Sequence, residues 1–154
     1  MKIIEKEVLS LQDKEVLLQL WNSEYPERLN YQTMDEFDLY LDALSEKNHY
    51  LLIDDEDKIK GWAFTFLRND EDWFAVILNQ DVQGTGKGSL LINELKKRKD
   101  SLNGWVIDHE KDVKQNKEKY KSPLLFYIKN GFVICTETRI ENEKMSAVKI
   151  NWKK

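Results

Sequence analysis

Residues 73–99, WFAVILNQDVQGTGKGSLLINELKKRK, hold the pattern that decides the fold. The stretch begins with an apolar run, Trp73 to Leu78, whose length and β-forming side chains predict a strand. Three glycines follow at positions 84, 86 and 88. From Gly88 onward apolar residues recur at i, i+3, i+4 and i+7, which predicts an amphipathic helix. A strand, a glycine-rich turn and a helix are therefore expected in direct succession.

A glycine-rich turn that opens a helix is typical of an anion-binding site. Glycine adopts backbone angles that other residues avoid and lets a ligand approach the main chain. The first N–H groups of a helix have no partner inside it and carry partial positive charge. We therefore expect a phosphorylated ligand above residues 83–89.

The spacing of the glycines separates three known motifs. A P-loop would need glycine where Asp81 stands and Ser or Thr where Gly88 stands. The dinucleotide-binding pattern needs a further glycine that does not follow. The spacing that fits is Gln83-x-x-Gly86-x-Gly88, which together with the preceding strand resembles the acetyl-coenzyme A motif of the GNAT superfamily of N-acetyltransferases. A glycine-rich surface turn is the alternative interpretation.

A second segment, FYIKNGF over 126–132, is similar to the other GNAT signature, which consists of an aromatic pair, a short helix end and Gly-Phe. Ser122 and Pro123 ahead of it are typical of an N-cap and a first helical residue. Asn130 and Gly131 are expected to end this helix.

The rest of the chain follows the element order of the same family. In the first half we expect a strand at 2–8, a helix capped by Ser10 and ended at 22–26, and a helix over 34–46 capped by Thr33. Strands are expected next at 49–54 and 59–67. After the central helix we expect a turn at Asn103-Gly104, a short strand at 105–108, an exposed charged loop at 110–121, and closing strands at 132–135 and 145–152. The resemblance implies one α/β (α+β) domain over 1–154, a mixed and mostly antiparallel sheet of about seven strands flanked by four helices, with strands 4 and 5 splayed apart.

Bulk properties exclude several other classes of protein. The net charge of −4 weighs against a nucleic-acid or anionic-membrane partner. No apolar run is long enough for a signal peptide or a membrane span, so a cytoplasmic protein is expected. The single cysteine, Cys135, is better interpreted as a small core residue than as a nucleophile. The acidic run 54–57 is better interpreted as a solvated hairpin tip than as a metal site, and no metal is expected.

The GNAT resemblance implies that acetyl-CoA is a co-substrate lying between the splayed strands. The backbone of Leu78 and Gln80 would hold its pantetheine arm as a neighbouring strand would. The pyrophosphate would accept hydrogen bonds from the N–H groups of Gln83, Gly84, Thr85, Gly86, Lys87, Gly88 and Ser89. The family often has asparagine and alanine where this chain has Tyr120 and Pro123, so Tyr120 or Ser122 would replace the usual asparagine contact.

The resemblance also implies direct attack of a primary amine, in a small molecule or peptide, on the acetyl group. Tyr127 would act as the general acid that protonates the leaving thiolate; a packed core aromatic is the alternative. His109 and Glu110, after the fifth strand, are candidates for the base, although a surface or structural role is the usual one for a lone histidine. Among the aromatic residues Trp62, Phe64, Trp73 and Phe74, a core position is favoured over a pocket wall.

Two other functions stay open from the sequence. A non-catalytic GNAT-fold module would bind coenzyme A or a partner without turnover. A nucleotide-binding α/β protein would use the same helix start for ATP or NAD. The sequence does not name the acceptor amine, although the net negative charge favours a cationic one, and a homodimer is open by analogy.

Overall fold

The computed structural model describes residues 1–154. The strands are β1 (Lys2–Lys6), β2 (Ser45–Ile53), β3 (Ile59–Arg68), β4 (Glu71–Leu78), β5 (Ser101–Val106), β6 (Val133–Glu141) and β7 (Ser146–Lys153). The helices are α1 (Leu11–Glu24), α2 (Met34–Asp42), α3 (Lys87–Arg98) and α4 (Leu124–Lys129). The strands form one seven-stranded sheet in the order β1-β2-β3-β4-β5-β7-β6. All neighbours are antiparallel except β4 and β5, which run parallel.

The parallel strands β4 and β5 meet at one end and separate at the other. Trp73 and Asn103 form the only paired position between them. The Asn103 side chain supports this junction, because its Nδ2 donates a hydrogen bond of 3.1 Å to the backbone oxygen of Asp72. Toward Leu78, β4 has no strand partner on this side. The expected fold, a mixed sheet with four helices and splayed fourth and fifth strands, is therefore confirmed.

Local signals placed the first two helices correctly at their starts. Ser10 Oγ accepts from the Asp13 N–H at 3.0 Å, and the Asp13 carboxylate accepts from the Ser10 N–H at 3.1 Å, which forms a capping box. Thr33 caps α2 by accepting from the Glu36 N–H at 3.2 Å. However, α2 ends at Asp42 rather than near residue 46, because β2 begins at Ser45 to pair with β3. Long-range strand pairing overrides the helical pattern there.

The turn expected at Asn103-Gly104 is wrong, since both residues lie inside β5. Asn103 is buried, and its Oδ1 accepts a hydrogen bond of 2.9 Å from Asn151 Nδ2 of β7. Gly104 lies against the Phe74 ring, where an added Cβ would come within 2.9 Å of a ring carbon. Asn103 is therefore present because it hydrogen-bonds the side-chain amide of Asn151, and Gly104 because the Phe74 ring leaves no room for a side chain.

Two hydrophobic cores cover the two faces of the sheet. The first packs α1 and α2 on one face and contains Trp62, Phe64 and Phe66, which share a side of β3 as their alternation predicted. The second packs α3 and α4 on the other face and contains Phe74 and Tyr127. No helix is both long enough and apolar enough to cross a membrane.

Candidate active site

A cleft of about 640 Å³ opens where β4 and β5 diverge. Its walls are the end of β4, the turn that leads into α3, the start of α4, the end of α1 and part of the segment between β5 and α4. This volume lies within the usual range for small-molecule sites. The cleft therefore has room for a small-molecule ligand, and it lies where the sequence predicted one.

One end of the cleft is a row of unpaired backbone donors. The N–H groups of residues 84–89 donate to no acceptor in the protein, and no side chain caps the start of α3. Gly86, the N-cap residue, has φ +84°, a left-handed conformation that favours glycine. No heavy atom lies within 4 Å of the positions that a Cβ would take at Gly84 or Gly86. Free donors, a helix N-terminus and open space together suit a phosphate group.

Gln83 differs from the other residues predicted to hold the pyrophosphate. Its N–H donates to the backbone oxygen of Gln80 at 3.3 Å, within a 3₁₀ turn over Gln80–Val82. This donor is therefore already occupied, and the free series begins at Gly84. The side chain of Gln83 instead reaches back to β4, where its Nε2 donates to the Leu78 oxygen at 3.0 Å.

Glu24, at the end of α1, also reaches the edge of β4. Its Oε2 accepts from the Gln80 N–H at 3.3 Å, and its Oε1 accepts from Gln83 Nε2 at 3.2 Å. The Lys114 ammonium lies 3.6 Å from the same carboxylate, and only 10% of the Glu24 side chain is exposed. The two backbone groups predicted to hold the pantetheine arm, at Leu78 and Gln80, thus have partners from the chain itself.

Three tyrosines line the cleft, and none of their hydroxyl groups has a hydrogen-bond partner in the protein. Tyr127 of α4 is buried among Phe74, Phe126 and Phe132, with ring centroids 5.0–5.7 Å apart. Burial raises the pKa of Tyr127 and of the other two, Tyr25 and Tyr120, well above the ordinary value for a phenol. All three hydroxyl groups are therefore protonated near neutral pH and can donate to a ligand.

The segment 107–123 between β5 and α4, here called the strap, forms one wall of the cleft. The sequence predicted an exposed loop at 110–121, and most of these side chains are exposed, but the backbone is fixed to the connection between α1 and α2. The Val113 oxygen accepts from the Glu27 N–H at 2.8 Å, and Arg28 Nε lies 2.9 Å from Asp112 Oδ1. This role of the strap was missed; Tyr120, a lone aromatic within a charged run, was the available signal.

The two predicted base candidates do not line the cleft. His109 Nδ1 accepts from the Lys111 N–H at 3.1 Å, and its Nε2 lies 3.9 Å from Asp112 Oδ2, so the imidazole belongs to the strap. Glu110 is exposed. The geometry does not support either residue as the base. The well-buried carboxylate that does line the cleft is Glu24, which no sequence motif marks.

Ser122 and Tyr120, the two predicted replacements for the family's asparagine, differ in whether the hydroxyl group is free to bind a ligand. Ser122 lines the cleft, but its Oγ donates to the Ile107 oxygen at 2.6 Å and accepts from the Leu124 N–H at 3.3 Å. Its hydroxyl is therefore in use near the start of α4, whose N-cap residue is Pro123 rather than the predicted Ser122. The Tyr120 hydroxyl has no partner, so Tyr120 fits the predicted contact better.

Comparison with known proteins identifies the fold. No protein-family model matches the sequence, and no curated protein matches it. An aminoglycoside 6'-N-acetyltransferase complexed with coenzyme A superposes with a TM-score of 0.74 at 15% identity, covering 99% of this chain and 97% of that one. Escherichia coli ElaA gives a TM-score of 0.69 at 18% identity, with 99% and 100% covered.

A third solved structure, spermidine/spermine N-acetyltransferase SpeG from Vibrio cholerae in complex with manganese ions, gives a TM-score of 0.64 at 16% identity, with 99% and 92% covered. The chain therefore has the fold of the GNAT acetyltransferases from end to end. The resemblance predicted from its two glycine-containing segments is confirmed at the level of the fold.

Proposed function

We propose that the protein is an N-acetyltransferase that moves the acetyl group of acetyl-CoA to a primary amine of a small molecule or peptide by direct attack. One observation carries this proposal. A row of free backbone donors, at 84–89, and a buried protonated phenol, Tyr127, face the same cleft between splayed strands.

The residues present fit coenzyme A. The free N–H groups of Gly84, Thr85, Gly86, Lys87, Gly88 and Ser89 would hold the pyrophosphate at the positive end of the α3 dipole. Leu78 C=O and the Gln80 N–H would hold the pantetheine arm, and the Tyr120 hydroxyl would contact it from the strap. Acetyl-CoA supplies the acetyl group as an activated thioester.

Tyr127 is proposed as the general acid. A neutral amine forms a bond to the acetyl carbonyl carbon, the carbon–sulfur bond breaks, and the sulfur leaves with the electron pair. The nitrogen, cationic after the attack, releases one proton to water to become the amide. A thiol has a pKa near ~8.5, so the leaving sulfur is best protonated as it departs. The Tyr127 hydroxyl has no competing hydrogen bond in the protein and stays protonated near neutral pH, since burial raises its pKa. The same burial makes it a weaker acid, but the leaving sulfur would be desolvated in the same cleft, which raises the pKa of the thiol as well. Tyr127 would therefore give its proton as negative charge develops on that sulfur.

The acceptor would enter between the end of α1 and the strap. These walls carry Tyr25 with charged residues of both signs, among them Glu24, Glu118 and Lys114. The names of two of the superposed proteins refer to aminoglycosides and to spermidine or spermine. We accordingly propose a cationic amine as the acceptor and include both classes in the test below.

The test is a screen for thiol release. Purified protein and acetyl-CoA are incubated with polyamines, aminoglycosides, amino acids and peptides with free N-termini, and free coenzyme A is measured with a thiol reagent. We expect thiol release above the acetyl-CoA background with at least one amine class. Binding of acetyl-CoA by calorimetry without release from any amine would instead indicate a binding module. Thermal stabilisation by ATP but not by coenzyme A would indicate a nucleotide-binding protein.

A further inference from the structure

At the end of β4, two side chains occupy the free backbone hydrogen-bonding groups. One donates and one accepts, as the N–H and C=O of an amide would. Leu78 C=O receives an N–H, from Gln83 Nε2 at 3.0 Å. The Gln80 N–H meets an oxygen, Oε2 of Glu24, at 3.3 Å. The two side chains are also bonded to each other, since Gln83 Nε2 lies 3.2 Å from Glu24 Oε1. One donor and one acceptor, joined as a unit, therefore satisfy both free groups of the strand end.

We propose that Glu24 and Gln83 form a latch, which closes the pantetheine edge of β4 until coenzyme A displaces it. This inference rests on the proposed function, because the pantetheine arm is the ligand that the same backbone groups would hold. An amide of that arm offers one C=O and one N–H, which is the same pair of hydrogen-bonding groups that the latch supplies. The arm and the latch therefore compete for Leu78 C=O and the Gln80 N–H.

Lys114 gives Glu24 a charged partner that does not depend on the latch being closed. Its ammonium lies 3.6 Å from the Glu24 carboxylate, and the exposed fractions of the two side chains are 12% and 10%. A charge this well buried is costly without a partner. When the arm takes the Gln80 N–H, Glu24 keeps Lys114 as its partner. The Lys114 backbone is itself fixed by donating to the Glu118 oxygen at 2.8 Å, so the strap holds this ammonium in place.

Gln83 can open without disturbing the donors that would hold the pyrophosphate. Its backbone N–H stays bonded to the Gln80 oxygen, and only its exposed side chain has to rotate. The latch therefore acts on the arm alone. It lowers the affinity for coenzyme A by the fraction of molecules in which the edge is closed.

The experiment compares two ligands by isothermal titration calorimetry. One is coenzyme A, and the other is adenosine 3'-phosphate 5'-diphosphate, which lacks the pantetheine arm. Glu24→Ala frees the Gln80 N–H and removes the carboxylate that holds Gln83 in the latch. The dissociation constant for coenzyme A is therefore expected to fall about tenfold, or about 1.4 kcal/mol. The dissociation constant for the arm-free ligand is expected to stay within about twofold. Glu24→Gln keeps one acceptor oxygen and is expected to give a smaller decrease for coenzyme A.

Glu118→Ala is the matched control, because Glu118 lines the same cleft with a carboxylate that makes no hydrogen bond to β4 or to Gln80. It removes the same charge, so tighter binding of both ligands in Glu118→Ala and Glu24→Ala would indicate simple electrostatics and overturn the latch. Wild-type affinity of both Glu24 variants for coenzyme A, with unchanged melting temperatures, would also overturn it. If the wild-type protein binds neither ligand, the proposed function fails and the latch fails with it.

Discussion

Trp73 and Asn103 form the single paired position between β4 and β5, and the two strands separate from that point. The Asn103 side chain is buried and bonded on both sides, to the Asp72 oxygen at 3.1 Å and to Asn151 Nδ2 at 2.9 Å. It thus joins β4, β5 and β7 where the cleft begins. A polar side chain in the core is tolerated here because both of its ends are satisfied.

Replacement of Asn103 by Ala is expected to destabilise the fold. It removes two buried hydrogen bonds and leaves the Asp72 oxygen and the Asn151 amide without these partners. We expect a loss of about 2 kcal/mol in the free energy of unfolding, measured by urea denaturation with an unchanged m-value. Asn116→Ala, in the exposed turn of the strap, serves as the control. A loss for Asn103→Ala no larger than for Asn116→Ala would contradict the role of Asn103 at the junction.

Gly86→Ala is expected to weaken the binding of coenzyme A more than it weakens the fold. Residue 86 has φ +84° and open space above it, so alanine adds strain and places a methyl group where the pyrophosphate would lie. The strain costs about 1 kcal/mol, and we expect the dissociation constant for coenzyme A to rise about tenfold or more.

Gly131→Ala is the matched control for this effect. Gly131 has φ +89° at the end of α4 but does not line the cleft, so it tests the strain without the ligand contact. Calorimetry of both variants with coenzyme A separates the two effects. Equal affinities in Gly86→Ala and Gly131→Ala would show that the loop at residue 86 does not meet the cofactor.

Tyr127→Phe is expected to lower the turnover number by about 100-fold with an acceptor identified by the screen. Phenylalanine keeps the packing against Phe74 and Phe132, so the melting temperature should change little. The KM for acetyl-CoA should also be close to that of the wild type, because only the proton donor is lost.

The other two cleft tyrosines provide internal comparisons. Tyr120→Phe should raise the KM for acetyl-CoA while leaving the turnover number nearly unchanged, because the proposed contact of Tyr120 is with the cofactor arm. Tyr25→Phe tests the acceptor side. Turnover by Tyr127→Phe equal to that of the wild type across pH, at saturating acetyl-CoA, would remove Tyr127 as the general acid.

Local patterns were sufficient to predict most of the framework. The caps at Ser10 and Thr33 depend on residues three positions away, and the shared face of Trp62, Phe64 and Phe66 depends on a period of two. The glycine-rich turn likewise carries its conformation in its own residues. Each of these features could be predicted because its cause lies within a few positions along the chain.

The features that the sequence did not predict depend on distant partners. Glu24 meets the Gln80 N–H across 56 residues of sequence, so nothing near Glu24 marks it as a cleft residue. Asn103 resembled a turn residue because Asn-Gly pairs are common in turns. Its actual partners lie on β4 and β7, far away in sequence, so no local pattern could correct the prediction. His109 and Glu110 were chosen for their chemical type and their position after β5, but the strap takes up the imidazole, and the Asp108 carboxylate beside it is held by Arg139 at 2.7 Å.

His49 is expected to make stability depend on pH. Its Nδ1 accepts a hydrogen bond of 3.1 Å from Trp62 Nε1, and the side chain is buried. Burial lowers the pKa of His49 from 6.5 to about 4, so the folded protein keeps the imidazole neutral where the unfolded chain takes up a proton. The unfolded state therefore binds more protons, and stability falls as the pH drops from about 6.5 to about 4. Below that range this residue makes no further contribution to the loss.

The full effect of His49 is about 3 kcal/mol, from a pKa difference of about 2.5 units. His49→Gln provides the comparison, since glutamine can still accept from the Trp62 indole but does not titrate. We expect the difference in unfolding free energy between wild type and His49→Gln, measured by urea denaturation from pH 7 to pH 4, to shift steadily against the wild type as the pH falls. Carboxylates that lose ion pairs in acid, such as Asp13 and Asp108, are present in both proteins. Their contributions therefore cancel in the difference between the two unfolding free energies. Parallel pH profiles for the two proteins would show that the imidazole is not held neutral in the fold.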